Sequence, residues 1–274
     1  MFDSFLAAIR ANPDDDIPRL IFADYLDERG DPRGEFIRIQ TELAHGHPDD
    51  RQQDTLRARE RALLTEHEEE WFGPLAEQLY RGWFHRGFLE VSLNIRDFLD
   101  DHEILELPSV VGIHLTPPSY MDAELVRGLV ASSKCQRVRS LYLGFEWVRD
   151  AIAIAIAQAE DFPNLVALDL ANNGITDFGA TALAASGRLP GLRILALGNN
   201  LITDVGANAL ANAPARTHLR QLDLSNNEIT SAGMRSLKRS PHLANLEELR
   251  LEGNPIRRSA RIGEHRREQI SRAG

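Results

Sequence analysis

Four segments of this chain repeat one pattern, Leu-x-x-Leu-x-Leu-x-x-Asn-x-Ile, at a constant interval of 27 residues. They are "LVALDLANNGI" from Leu165, "LRILALGNNLI" from Leu192, "LRQLDLSNNEI" from Leu219 and "LEELRLEGNPI" from Leu246. A fixed period constrains the fold more than any local propensity, because each unit leaves an apolar face that only a stacked neighbour can bury. A weaker copy, "VRSLYLGFEWV", starts at Val138, 27 residues earlier still, and fainter strands read at "VVGIHL" from Val110 and "FLEVSL" from Phe88. The expectation is about seven units, least regular at the start.

Each unit has a readable internal logic. Leu168 and Leu170 alternate as a short strand with one buried face. The asparagine that closes each motif (Asn173, Asn200, Asn227, Asn254) follows the strand where the chain must turn, and its amide both donates and accepts. Stacked copies are therefore expected to satisfy turn backbone that burial would leave unpaired. Next come "TDFGATALAAS", "TDVGANALANA" and "TSAGMRSLKRS". A Thr or Asp N-cap leads an Ala-rich helix with one Leu in phase (Leu183, Leu210, Leu237). Gly179, Gly206 and Gly233 sit early in these helices, where a missing side chain permits close approach. "AIAIAIAQAE", Ala151–Glu160, alternates like a strand. Its place between two strands and its alanine content assign it to a buried convex helix. Strands stack at about 4.8 Å and helices need roughly 10 Å, so the stack curves with strands on the inside.

These residues carry a resemblance. Segment 138–256 is similar to leucine-rich repeats of the ribonuclease-inhibitor type, which implies an α/β horseshoe solenoid with a parallel sheet on the concave face and helices on the convex face. That resemblance speaks to fold far more than to function, since the scaffold serves unrelated partners.

The first eighty residues read as helices. Phe2, Phe5, Leu6 and Ile9 share a face; Asn12-Pro13-Asp14 breaks that helix, and a second holds Leu20, Ile21, Ala23 and Tyr25 and stops at Gly30. A third begins at Gly34 with Phe36, Ile37 and Ile39 inward, a charged one runs from about Asp50 to Leu64, and another carries Trp71 and Phe72. "RLIFADYLDERGDPRGEFIRIQTEL" resembles the bacterial repeat-companion domain, a helical module that precedes leucine-rich repeats, with "RGFLEVSL" at Arg86–Leu93 fitting the same arrangement. The resemblance implies a helical N-terminal cap in a bacterial protein and supplies no catalytic residues. The domains expected are 1–82 as helical cap, 83–256 as repeats, and 257–274 as a basic capping helix with Ile262 and Ile270 over the last repeat.

Chemistry finds little footing. The acidic residues Asp14, Asp15, Asp16, Asp24, Asp27, Glu28, Asp31 and Glu35 lack EF-hand spacing and read as solvated faces and caps. The "GDPRGEF" turn offers an arginine to pair with Asp24 or Asp27. His67 lacks the second histidine of a metalloprotease helix, and His85, His102 and His114 show no ligand spacing to one another or to Cys135. Cys135 reads as a small buried hydrophobe. No phosphate loop or nucleophile elbow is present. No enzyme, cofactor or metal site is expected.

Composition bounds the rest. The chain has 274 residues, is 43% hydrophobic and carries a net charge of −10, which disfavours nucleic acid. "AIAIAIAQA" is too short to cross a bilayer, the start lacks a basic signal region, and one cysteine fits a reducing compartment. A cytoplasmic monomer without membrane contact is expected. The strand positions facing away from the core offer Tyr142, Asp169, Ile194, Asp223 and Arg250 as anchors for a protein partner. The expected function is a non-catalytic protein-interaction module. The alternatives are an inhibitor or recruiter of a nucleic-acid enzyme, suggested by fold analogy, and a purely structural scaffold.

Overall fold

The computed structural model describes residues 2–46, 50–72, 82–100, 110–118, 121–144, 149–159, 162–214 and 217–256. Four helices open the chain: α1 (Phe2–Ala11), α2 (Ile17–Asp27), α3 (Arg33–His45) and α4 (Asp50–Phe72). A sheet follows, with β1 (Gly82–His85), β2 (Phe88–Asn94), β3 (Val110–Thr116), β4 (Val138–Tyr142), β5 (Ala167–Asp169), β6 (Ile194–Ala196), β7 (Gln221–Asp223) and β8 (Glu248–Arg250) in chain order. Between the strands lie α5 (Ile95–Leu99), α6 (Ala123–Ala131), α7 (Arg149–Gln158), α8 (Asp177–Ala185), α9 (Asp204–Ala211) and α10 (Ser231–Arg239). β2 to β8 run parallel, and β1 pairs antiparallel with β2. Neighbours from β4 onward pair residues 27 apart, so the sequence period is the sheet register. The fold is an open α/β solenoid.

The core lies between the sheet and its helices. Leu168, Leu195 and Leu222 stack with Leu170, Leu197, Leu224 and with Ile175, Ile202, Ile229, each 1% exposed or less. Residues 151–158 are helical: Ile152, Ala153, Ile156 and Ala157 are buried, a one-turn spacing that overrides the alternating letters. Cys135 is buried and its Sγ donates to Leu129 O at 3.2 Å.

A ladder on the helix side joins the units. Thr176, Thr203 and Thr230 are the N-caps of α8, α9 and α10. The Asp after two of these caps, Asp177 and Asp204, reaches forward to the next unit. Asp177 Oδ1 accepts from Thr203 N and Gly206 N, both at 2.8 Å, and its Oδ2 accepts from Thr203 Oγ1 at 2.6 Å. Asp150 and Asp204 repeat this toward Thr176–Gly179 and Thr230–Gly233. Desolvation pushes the Asp204 carboxyl up, but the hydrogen bonds from Thr230 and Gly233 outweigh it and leave its pKa below the ordinary Asp value. A Cβ on Gly206 would lie 2.7 Å from both Asp177 Oδ1 and Ile202 Cγ2, so glycine is what lets the carboxylate reach the backbone.

The amino-terminal region departs from expectation in three places. α4 is one continuous helix, because no glycine or proline interrupts residues 50–72. Arg38, not Arg33, pairs with Asp24 (2.7 Å) and Asp27, since residue 38 lies a turn into α3, where it faces α2. The β1–β2 hairpin was not read from the sequence: its turn is Arg86-Gly87, both at positive φ (49° and 82°), the backbone of a type I′ turn. A Cβ on Gly87 would come 2.3 Å from Ile37 Cγ1, so the hairpin tip packs directly on α3.

The Asp–Thr–Gly ladder makes a prediction against helix propensity. Gly206→Ala should gain about 1 kcal/mol from propensity, yet lose about 1–3 kcal/mol to overpacking, for a net destabilisation of up to about 2 kcal/mol. Urea unfolding of the two chains measures the sign.

Candidate functional site

The register across the solenoid sorts the outward strand positions into two rows. One row is Tyr142, Asp169, Ala196, Asp223 and Arg250; the other is Ser140, Ala167, Ile194, Gln221 and Glu248. Four of the five residues singled out from the sequence thus share a row, and Ile194 lies in the row beside it. Tyr142 is 40% exposed and Ile194 38%. Asp169 Oδ1 accepts from Ala171 N (2.9 Å) and Asp223 Oδ1 from Ser225 N (2.8 Å), which fixes both carboxylates. Arg250 Nε donates to Glu248 Oε1 at 2.6 Å.

The four turn asparagines lie at the strand ends of the same units. Asn200 Oδ1 accepts from Asn173 N (3.1 Å) and Ile175 N (2.9 Å), and its Nδ2 donates to Leu170 O (3.1 Å), Leu197 O (3.0 Å) and Gly198 O (3.3 Å). Asn173 Nδ2 donates to Leu143 O, and Asn227 and Asn254 accept from Ile202 N and Ile229 N. The residues before three of them, Asn172, Asn199 and Asn226, take positive φ (58°, 55° and 50°).

The amino-terminal helices limit how much of the concave face is open. Phe88 on β2 and Val111 on β3 pack with Leu6, Ile9, Phe22, Ala23, Leu26 and Ile37 from α1, α2 and α3. The turn between α1 and α2 then extends along the starts of the strands. Asp14 Oδ1 accepts from Arg139 Nη2 at 2.7 Å, and Asp14 Oδ2 lies 3.1 Å from Arg193 Nη2, so one carboxylate reaches from β4 to the start of β6. Arg86 donates to Asp14 O and Asp16 Oδ1, both at 3.2 Å, and Asn164 Nδ2 to Arg10 O at 3.4 Å. Asp14 and Asp16 were expected as solvated caps; they are docking residues instead, because the turn carries them onto arginines supplied by distant units. Sequence spacing holds no trace of that contact.

Beneath the turn, Glu90 accepts from His114 Nε2 at 2.7 Å and lies 3.5 Å from Arg139 Nε. Burial pushes the Glu90 carboxyl up, but His114 and Arg139 together pull it below the ordinary value; burial against Arg139, Arg193 and Arg86 does the same to Asp14. Burial also lowers the His85 pKa from 6.5, overcoming the attraction of Glu90. All three groups favour the less protonated form in the folded chain, so each loses stabilisation as pH falls through its folded pKa. In the row of Tyr142, Asp169, Asp223 and Arg250 the ion pair is that of Arg250 with Glu248. His102 and the segment 257–274 lie outside the described residues. Among the described residues no group of three or more His, Cys, Asp or Glu is placed to hold a metal, and no helix is long and apolar enough to cross a membrane.

Acidification should therefore destabilise the chain in two stages. The first sets in as pH falls past 6.5, the ordinary histidine value, and the second below the ordinary carboxylate values of 3.8 and 4.5. In His85→Gln the first stage should shrink while the second remains. Melting temperatures from pH 8 to pH 3 measure it, and identical profiles for the two chains would show that His85 contributes nothing.

Comparison with known proteins bears on the repeats. The family model "Leucine rich repeat" matches residues 190–256, and the model "Leucine Rich repeats (2 copies)" matches residues 163–212. A search of curated proteins returns no match. Among solved structures, an internalin (inlF) of Listeria monocytogenes is similar at 23% identity and TM-score 0.38, over 62% of this chain and 43% of the internalin. This chain therefore spans less than half of that protein's length. A Bacteroides fragilis protein is similar at 13% identity and TM-score 0.22, over 75% of this chain and 85% of that one. The two model matches, with the register of 27 residues and the open parallel sheet, identify residues 163–256 as leucine-rich repeats.

Proposed function

We propose that the chain is a non-catalytic protein-interaction module that binds a protein partner through the open concave strip from β4 to β8. The observation that carries this reading is the row of Tyr142, Asp169, Asp223 and Arg250, with Ile194 beside it, on a surface left uncovered by the amino-terminal helices. Curved solenoids present extended concave surfaces of this kind to partners. Tyr and Arg are the side chains that most often anchor an interface. In this reading residues 1–82 are a repeat-companion cap that also sets the boundary of the strip, 83–256 are repeats of the ribonuclease-inhibitor type, and 257–274 follow as a basic segment. A helix in each 27-residue unit supports that repeat type. The chain works as a cytoplasmic monomer with no cofactor.

A pull-down from lysate of the native host, with purified complexes then titrated, tests the reading. Wild type should retain a protein that a Tyr142→Ala/Ile194→Ala chain of unchanged melting temperature binds at least about tenfold more weakly, a loss of about 1.4 kcal/mol. Equal affinity for the two chains would remove the concave strip from the account.

A further inference from the structure

The open strip has a one-sided chemistry. A groove between β6 and β8 is lined by Ile194, Ala196, Gln221, Asp223, Glu248 and Arg250. Its arginine is engaged within the groove, bonded to Glu248, with Asp223 and Glu252 adding to the negative field around it. Asp169 stands in the same row as Asp223 with Ala196 between them, two strand spacings or about 10 Å away. The backbone bonds to Ala171 N and Ser225 N hold both carboxylates in place, so the charge is fixed before anything binds. Asp169, Asp223, Glu248 and Glu252 against Arg250 leave the strip with an excess of negative charge, and Ile194 and Ala196 give it an apolar floor.

The chain itself contains the complement. From Arg257 it reads "RRSARIGEHRREQISRAG", with six arginines and two glutamates in 18 residues, in a protein whose net charge is −10. This segment begins directly after Ile256, whose amide donates to Asn254 O at 2.7 Å, six residues beyond Arg250 of β8. From β8 to β5 is three strand spacings, about 14 Å, while 18 extended residues span about 60 Å. Reach is not limiting. Arginine also pairs with carboxylates through two parallel hydrogen bonds, a geometry that a fixed Asp rewards.

We propose that residues 257–274 occupy this groove in cis, with their arginines on Asp169, Asp223 and Glu252, and that a partner must displace them with a basic segment of its own. The proposal rests on the concave strip being the interaction surface, and it names the partner chemistry that surface selects. The tail is then a built-in competitor: it sets a threshold that weakly basic proteins do not pass.

Limited trypsin digestion of the full chain, with cleavage after Arg257 to Arg272 followed by mass spectrometry, tests it. In about 50 mM salt, where charges are weakly screened, wild type should be cut in this segment at least about fivefold more slowly than an Asp169→Lys/Asp223→Lys chain of unchanged melting temperature. A Glu68→Lys/Glu69→Lys chain, with the same charge change on the exposed face of α4, should behave like wild type. Raising salt to about 500 mM should bring wild type to the rate of the groove variant. Equal rates for wild type and the groove variant in low salt would overturn the proposal. So would protection that grows with protein concentration, which would place a second copy in the groove. The digestion reads only the tail, so its failure leaves the concave strip to be judged by the partner titration.

Discussion

The stack depends on one side chain used at both ends: the amide of the turn asparagine. Asn200 accepts from two backbone N–H groups of the unit before it, and donates to one carbonyl of that unit and two of its own. No other side chain of that size offers a donor and an acceptor in the geometry a buried turn requires. Each backbone group left unpaired in the interior would cost about 1–3 kcal/mol. The turn can therefore be buried only where the next unit supplies its amide, which ties the repeat period to the fold. The Asp–Thr–Gly ladder does the same for the helices. Asp177 bonds the cap and first turn of α9, so strand side and helix side are each stitched to the following unit by separate groups.

These two ladders leave the concave face with few structural duties. Side chains there satisfy neither turns nor helix caps, apart from the short bonds that Asp169 and Asp223 make to their own loops. The amino-terminal helices take up part of that freedom. They cover the outward side of β2 and β3 with apolar contacts and extend a charged turn to Arg139 and Arg193. What remains open from β4 onward carries Asp169, Asp223, Glu248 and Glu252 beside Arg250, with Tyr142 and Ile194 exposed among them.

Periodic features were legible in the sequence because each repeats its cause. The constant spacing gave the register, the paired leucines gave the buried face, and the position of Ala151–Gln158 between strands decided its helix against its own alternating letters. The double asparagine was only half read. Asn172, Asn199 and Asn226 hold the left-handed backbone before each bonding asparagine, and in the last unit Gly253 does so at φ 74°. Contacts made once were not legible. Asp14 meets Arg139 and Arg193 from 125 and 179 residues away, and nothing local marks an aspartate for such a partner. The Arg86-Gly87 turn was legible in principle, since a glycine between two apolar runs is a hairpin signal.

Amide hydrogen exchange in an Asn200→Ala chain tests the central claim most directly, because it reads the individual donors that the side chain holds. The account predicts that the amides of Asn173 and Ile175 lose most of their protection, while that of Ile229, bonded to Asn254, keeps more of it. If Asn173 and Ile175 exchange as slowly in the variant as in wild type, the amide ladder does not hold the repeats together.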